Sequence, residues 1–167
     1  MPVKDVREAF LFMLSDVRQG AEHATKAFEE MRDIAENPEV KEALHARAFV
    51  SSKVVNTIDE AFKMLGEKPM EMPERLQEVL LEDFRARLGD MQSTEAKHLF
   101  VLAKAHQLNQ IRIGEYTVLI EVADMMGHYG VGVLLSTCLA DKMAFVQRTR
   151  HLMRRILEGK MGMRMAA

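Results

Sequence analysis

From Val6 to Ile34 the apolar and small residues step by strictly alternating fours and threes: Val6, Phe10, Met13, Val17, Gly20, Ala24, Ala27, Met31, Ile34. Only a helix that buries one face along its whole length keeps that period. A stripe of eight turns cannot be buried by one short neighbour, so the chain must supply several helices of similar length. The stripe predicts a first long helix over about Val3 to Ala35. Gly20, Ala21 and Ala24 narrow its middle and let a partner approach closely. Asn37-Pro38 ends it, because the residue before a proline disfavours the helical region. Pro38 can then open the next helix with Asn37 as its cap.

Three more long helices follow the same logic. Leu44, Ala48, Ser51, Val55, Ile58, Phe62 and Leu65 mark a second, Pro38 to Leu65, closed by Gly66 and barred from resuming by Pro69. The short link makes these two an antiparallel hairpin. Residues 66–92 form a crossover. Leu76, Val79, Leu80 and Phe84 support one short amphipathic helix in it, ended by Gly89-Asp90. A connection of that length can traverse a bundle, which predicts a ferritin-like topology rather than a simple up-down one. A third long helix starts at Ser93 or Thr94 and ends at Gly127, with Leu102, Ile113, Ile120 and Ala123 on its stripe. The fourth runs from about Val131 to Leu157 on Leu135, Cys138, Phe145, Thr149, Leu152 and Ile156. No segment alternates with the period of a strand. The expectation is an all-α bundle occupying residues 1–158, with 159–167 as a flexible tail.

Composition excludes several function classes. A net charge of −2 argues against a nucleic-acid or anionic-membrane partner. One cysteine, Cys138, rules out an intrachain disulfide framework and suits a reducing cytoplasm. The N-terminus shows no signal pattern, and no uncharged apolar run suggests a membrane span. The 14 methionines suit irregular gaps in a helical core.

Candidate chemistry is sparse. His106, Asn109 and Tyr116 interrupt the third long helix, where buried polar groups must be satisfied or used. Glu42 with His45 and Glu95 with His98 form two Glu-x-x-His pairs, a spacing that shares a helix face and serves di-metal bundles. Both pairs lie near helix starts, where acidic residues ordinarily complement the dipole. Arg148, Arg150, His151, Arg154 and Arg155 complement the C-terminus of the last helix. Met161, Met163 and Met165 offer soft ligands without supporting His or Cys. No Gly-x-Ser-x-Gly nucleophile motif and no phosphate loop is present.

Leu14-Ser15-Asp16, Asn37-Pro38-Glu39-Val40-Lys41 and Ala61-Phe62-Lys63-Met64-Leu65-Gly66-Glu67-Lys68-Pro69 resemble the ferritin-like stress-response family often called YciE/YciF, over about Val6 to Leu157. The resemblance implies a ferritin-like four-helix bundle with an extra short helix, a homodimer, and carboxylate-and-histidine metal binding. The chain departs from that pattern at the implied ligands. Ala21, Arg47, Val50, Asn109, Gln110, Arg112 and Lys142 stand where carboxylates or histidines are implied, and Asp141 alone keeps an acidic type. A di-iron or di-manganese site needs about four carboxylates and two histidines from four helices. The expectation is therefore a polar core cluster in place of the metal site, made of Arg47, His106, Asn109, Arg112 and Asp141, with Asp141 paired to an arginine.

The functional expectation is a non-enzymatic, stress-associated structural or interaction module without a cofactor, cytoplasmic, and dimeric through an apolar helix face. Two alternatives stand beside it. One is an iron- or manganese-binding oxidative-stress protein with a residual site near Asp141 or a relocated one at Glu42, His45, Glu95 and His98. The other is a small-ligand binder with a pocket between Gly20-Ala21-Ala24 and Asn109.

Overall fold

The computed structural model describes residues 3–73 and 75–165. Five helices follow in order: α1 (Val6–Ile34), α2 (Pro38–Leu65), α3 (Arg75–Leu88), α4 (Thr94–Met125) and α5 (Tyr129–Met165). There is no strand among the described residues.

Local chemistry sets the ends. α1 begins at Val6, three residues after the expected start, because the Asp5 side chain accepts the Glu8 N–H at 2.8 Å and caps the helix. Asn37 caps α2 by accepting from the Glu39 and Val40 amides at 2.9 and 3.2 Å. Gly66 closes α2 at φ 70°, a conformation that glycine adopts without strain. Ser93 rather than Thr94 caps α4, accepting from Ala96 N–H. α5 starts two residues before Val131 and runs on as helix to Met165, past the expected stop at Leu157. The side chains of Met161, Met163 and Met165 lie outside the described residues.

Contacts at the ends establish the directions. Arg7 near the start of α1 pairs with Glu67 just past α2, so these two helices are antiparallel. His98 near the start of α4 meets the backbone of Glu36 and Asn37 at the start of α2, so α2 and α4 run the same way. Arg155 late in α5 reaches Glu39, which sets α5 antiparallel to both. The α3 crossover thus traverses the bundle, and the fold is a ferritin-like helical bundle.

The interior has two apolar halves. One, near the α1–α2 link, is built on Phe28, Met31, Leu44, Leu102 and Phe145. The other, near the α4–α5 link, is built on Phe10, Leu14, Ile58, Phe62 and Leu119. The buried stripe of α4 is rotated from the expected one. It passes through Val101, Leu102, Ala105, Leu108, Asn109, Arg112, Tyr116, Leu119 and Ala123, and leaves Ile113 and Ile120 half-buried. Within Tyr129–Gly159, α5 contains a window long and apolar enough to cross a membrane, a feature not expected from the sequence. In the fold that helix packs on α4 and α2 and buries Leu135, Cys138, Phe145 and Leu152.

Candidate functional site

Halfway along the bundle three of the four long helices place polar side chains at one level. Arg47 comes from α2, Asn109, Arg112 and Tyr116 from α4, and Lys142 from α5. Gly20 and Ala21 of α1 close the fourth side. Each sits where the helical step requires. Arg47 lies between Leu44 and Ser51, and Lys142 between Cys138 and Phe145, all spaced by threes and fours. The three cations are nearly inaccessible: 4 % exposed for Arg47, 4 % for Arg112 and 3 % for Lys142.

Asn109 ties the layer together. Its carbonyl oxygen accepts from Arg47 Nε at 3.1 Å, and its amide donates to the Lys142 carbonyl at 2.8 Å. Arg112 lies across the α1 backbone at Gly20, where any Cβ would collide with its guanidinium. Its Nη1 donates to Glu115 at 2.7 Å and lies 3.5 Å from Asp16. Gln77, the buried polar residue of α3, donates to the Gly20 carbonyl at 2.8 Å and pins the crossover here.

Charge compensation is uneven. Arg112 has two carboxylates. Among the described residues, neither Arg47 nor Lys142 has one within ion-pair distance. Aromatic faces stand in: Arg47 lies 5.2 Å from the Phe28 ring centre and 5.8 Å from that of Phe145, and Lys142 Nζ lies 4.5 Å from that of Tyr116. A ring face offsets only part of a buried charge. Burial and the neighbouring Arg47 accordingly push the Lys142 amine down to about 7, and burial pushes Arg47 down to about 10. Burial also raises the Tyr116 hydroxyl and the Cys138 thiol above their ordinary values. Cys138 is therefore held as an unreactive thiol.

The enclosed space at this level is about 10 Å³, the room of about one water molecule. The narrow Gly20-Ala21-Ala24 surface does line it, but the Arg112 guanidinium takes up the gap the small residues leave. A pocket for an organic ligand between those residues and Asn109 is not formed.

The expected cluster is assembled in part. Arg47, Asn109 and Arg112 come together, and both arginines stay inside rather than bending out to water. His106 does not join them; it is half-buried, near Thr149 at 3.3 Å and Gln110 at 3.2 Å. Asp141 is exposed and makes no ion pair with either arginine. The reason is angular: consecutive helix residues differ by about 100°, and Lys142 occupies the inward position. The layer also holds Tyr116 and Lys142, marked in the sequence but not placed in the expected cluster, and Ser51, Asp16 and Glu115, which were missed. The gap of seven residues between Cys138 and Phe145 in the expected α5 stripe was the signal for Lys142.

The two Glu-x-x-His pairs do not converge. Glu42 pairs with Arg148 and His45 lies near Arg32. His98 Nε2 accepts from the Glu36 and Asn37 amides at 3.0 Å each, which engages the lone pair a metal would need. Among the described residues no three acids, histidines or cysteines form a group that could hold a metal ion.

A family model for a domain of unknown function, DUF892, matches residues 5–162. The chain belongs to the DUF892 family. Protein YciF of Escherichia coli K12, a similar curated protein, is 21 % identical over 145 residues, covering 86 % of this chain and 87 % of YciF. The solved E. coli stress protein YciF superimposes with a TM-score of 0.88 at 20 % identity, over 93 % of this chain and 98 % of that one. YcfI from Rhodopseudomonas palustris, which has been suggested to be a structural protein, gives 0.85 at 22 % identity, over 89 % and 94 %. These likenesses establish the shared bundle fold.

Proposed function

We propose that this chain is a non-enzymatic, stress-associated member of the DUF892 family that acts as a structural or interaction module, with a cationic layer where a di-metal centre would lie. One observation carries this reading: Arg47, Arg112 and Lys142 converge at mid-bundle on positions where the family resemblance implies metal ligands. Two divalent ions there would meet fixed positive charge at close range in a low-dielectric interior, where repulsion is strong. The E. coli relative is described as a stress protein and the Rhodopseudomonas one has been suggested to be structural, which supports the same class for this chain. In this reading the module works in the cytoplasm as a homodimer, through helix faces that leave apolar side chains such as Phe49, Val133 and Met143 exposed.

Metal content tests it. The purified full chain is incubated with iron and with manganese, desalted, and measured by mass spectrometry. The expected value is near zero metal per chain. One or two ions per chain would overturn the reading. Loss of those ions in a Glu42→Ala/Glu95→Ala variant would move the chemistry to the end of the bundle.

A further inference from the structure

The uncompensated charge at mid-bundle coincides with uncompensated hydrogen-bonding groups. Among the described residues Arg47 Nη1, Ser51 Oγ and Tyr116 OH are buried without a hydrogen-bond partner, and all three residues line the same small cavity as Lys142. Three of these four groups are donors or can turn a hydroxyl hydrogen inward, and the fourth is an amine. A native interior seldom leaves several such atoms unsatisfied at one point unless something binds there. A water could satisfy the geometry. It could not offset the charge of Arg47, or of Lys142 when protonated, and among the described residues neither has a carboxylate within ion-pair distance. The cavity volume, about 10 Å³, excludes phosphate, sulfate and carboxylate metabolites and suits a monatomic species.

We infer that the mid-bundle cavity is a binding site for a single halide-sized anion, chloride in practice, held by Arg47, Ser51, Tyr116 and Lys142. The site inverts the logic of a carboxylate-metal centre: the Arg47 guanidinium from α2 and the Lys142 amine from α5, with two hydroxyls, surround one anion. Arg47 also lines a surface groove between α2 and α5 of about 190 Å³, beside Val50, Asp141 and Arg148. Arg47 thus borders both the groove and the cavity. The inference rests on the cationic reading of this layer given above.

The test uses the full chain in chloride-free buffer at neutral pH and constant ionic strength, with sodium gluconate replaced stepwise by sodium chloride. Gluconate is too large for the cavity. The expected result is a rise in Tm that grows with the logarithm of chloride above its Kd, reaching about 5–10 °C at about a hundredfold excess. Bromide should act alike, and a bromide-soaked crystal should show anomalous density within hydrogen-bond distance of Arg47 and Tyr116. Lys142→Met and the milder Ser51→Ala should each flatten the chloride response while remaining folded in gluconate. A Tm equal in chloride and gluconate, or a water without bromide density in the cavity, overturns the inference. A wild-type rise that persists in both variants also overturns it, by placing the ion elsewhere. A metal-free protein with no chloride response would sink this inference alone, whereas bound iron or manganese would sink the functional reading beneath it.

Discussion

Near the α1–α2 link the bundle interior is Phe28, Met31, Leu44 and Leu102, all fully enclosed. A few turns away α2, α4 and α5 meet through Arg47, Asn109, Arg112 and Lys142. Both layers are equally hidden from water, yet they are stabilised by opposite means. In the apolar layer every buried atom gains by leaving water, and the gains add. In the polar layer each charge loses its hydration, and only Arg112 regains much of it through Glu115 and Asp16. Burial alone thus says nothing about whether a layer holds the fold together. Here one layer stabilises the bundle and another restricts what its centre can bind.

Substitutions at the two layers should separate them by sign. Leu102→Ala in the apolar layer removes fully buried hydrocarbon and should cost about 2–5 kcal/mol by urea unfolding. Lys142→Met, in chloride-free buffer, should do the reverse. Replacing a buried amine that has no carboxylate partner among the described residues by a hydrocarbon of similar length should raise stability by about 1–4 kcal/mol. A destabilised Lys142→Met would mean that the amine makes a favourable interaction beyond the Tyr116 ring.

The next two changes sharpen the boundary of the polar layer. Gly20→Ala forces the Arg112 guanidinium off α1 and away from its carboxylates. The expected loss is about 1–3 kcal/mol, read as a lowered midpoint in urea. A neutral result would show that Arg112 can leave the layer freely. Asp141→Ala should change stability by no more than about 0.5 kcal/mol, because Asp141 is exposed and pairs with neither arginine. A loss of several kcal/mol there would restore a buried Asp141 pair.

The helices were legible because their signals are local. The unbroken step from Val6 to Ile34, the Asn37-Pro38 break and the Gly66 and Gly127 stops each act over a few residues. The crossover length then leaves few topologies. The polar layer is a different kind of object. Whether Asp141 or Lys142 faces inward turns on a rotation of about 100°, and α4 shows how easily that is misjudged. Ile113 and Ile120 look like its stripe, while Arg112 and Tyr116 carry it. Arg47 and Arg112 were legible as departures from the family resemblance. Their burial was not, since a long cationic side chain can equally reach water. Asp16 and Glu115, the partners of Arg112, come from α1 and from its own next turn; Asp16 belongs to a segment that carries the family resemblance, but nothing in the sequence marks either as a partner of Arg112.

The most direct test of the central claim, a cationic layer buried at mid-bundle, is the pH dependence of stability in chloride-free buffer for the wild type and Lys142→Met. The groups whose charge acts on Lys142 are Arg47 from α2, Arg112 from α4, and Cys138 and the outward-turned Asp141 from α5, with the Tyr116 ring 4.5 Å from its amine. Lys142 is held at about 7 in the fold, well below the ordinary lysine value of about 10.4. Above pH 7 the unfolded chain therefore binds the proton more tightly than the folded one, and stability rises with pH; below 7 the full penalty of the buried charge applies. Cys138 and Tyr116, raised by burial, have the opposite slope at higher pH, so the clean window ends near about pH 8.5. The predicted result is a wild-type gain of about 1.5 kcal/mol, or about 4 °C in Tm, from pH 7 to 8.5, with a flat response in Lys142→Met. A wild-type curve as flat as the variant's would contradict the account, because Lys142 would then titrate like a solvated lysine and the layer would not be buried.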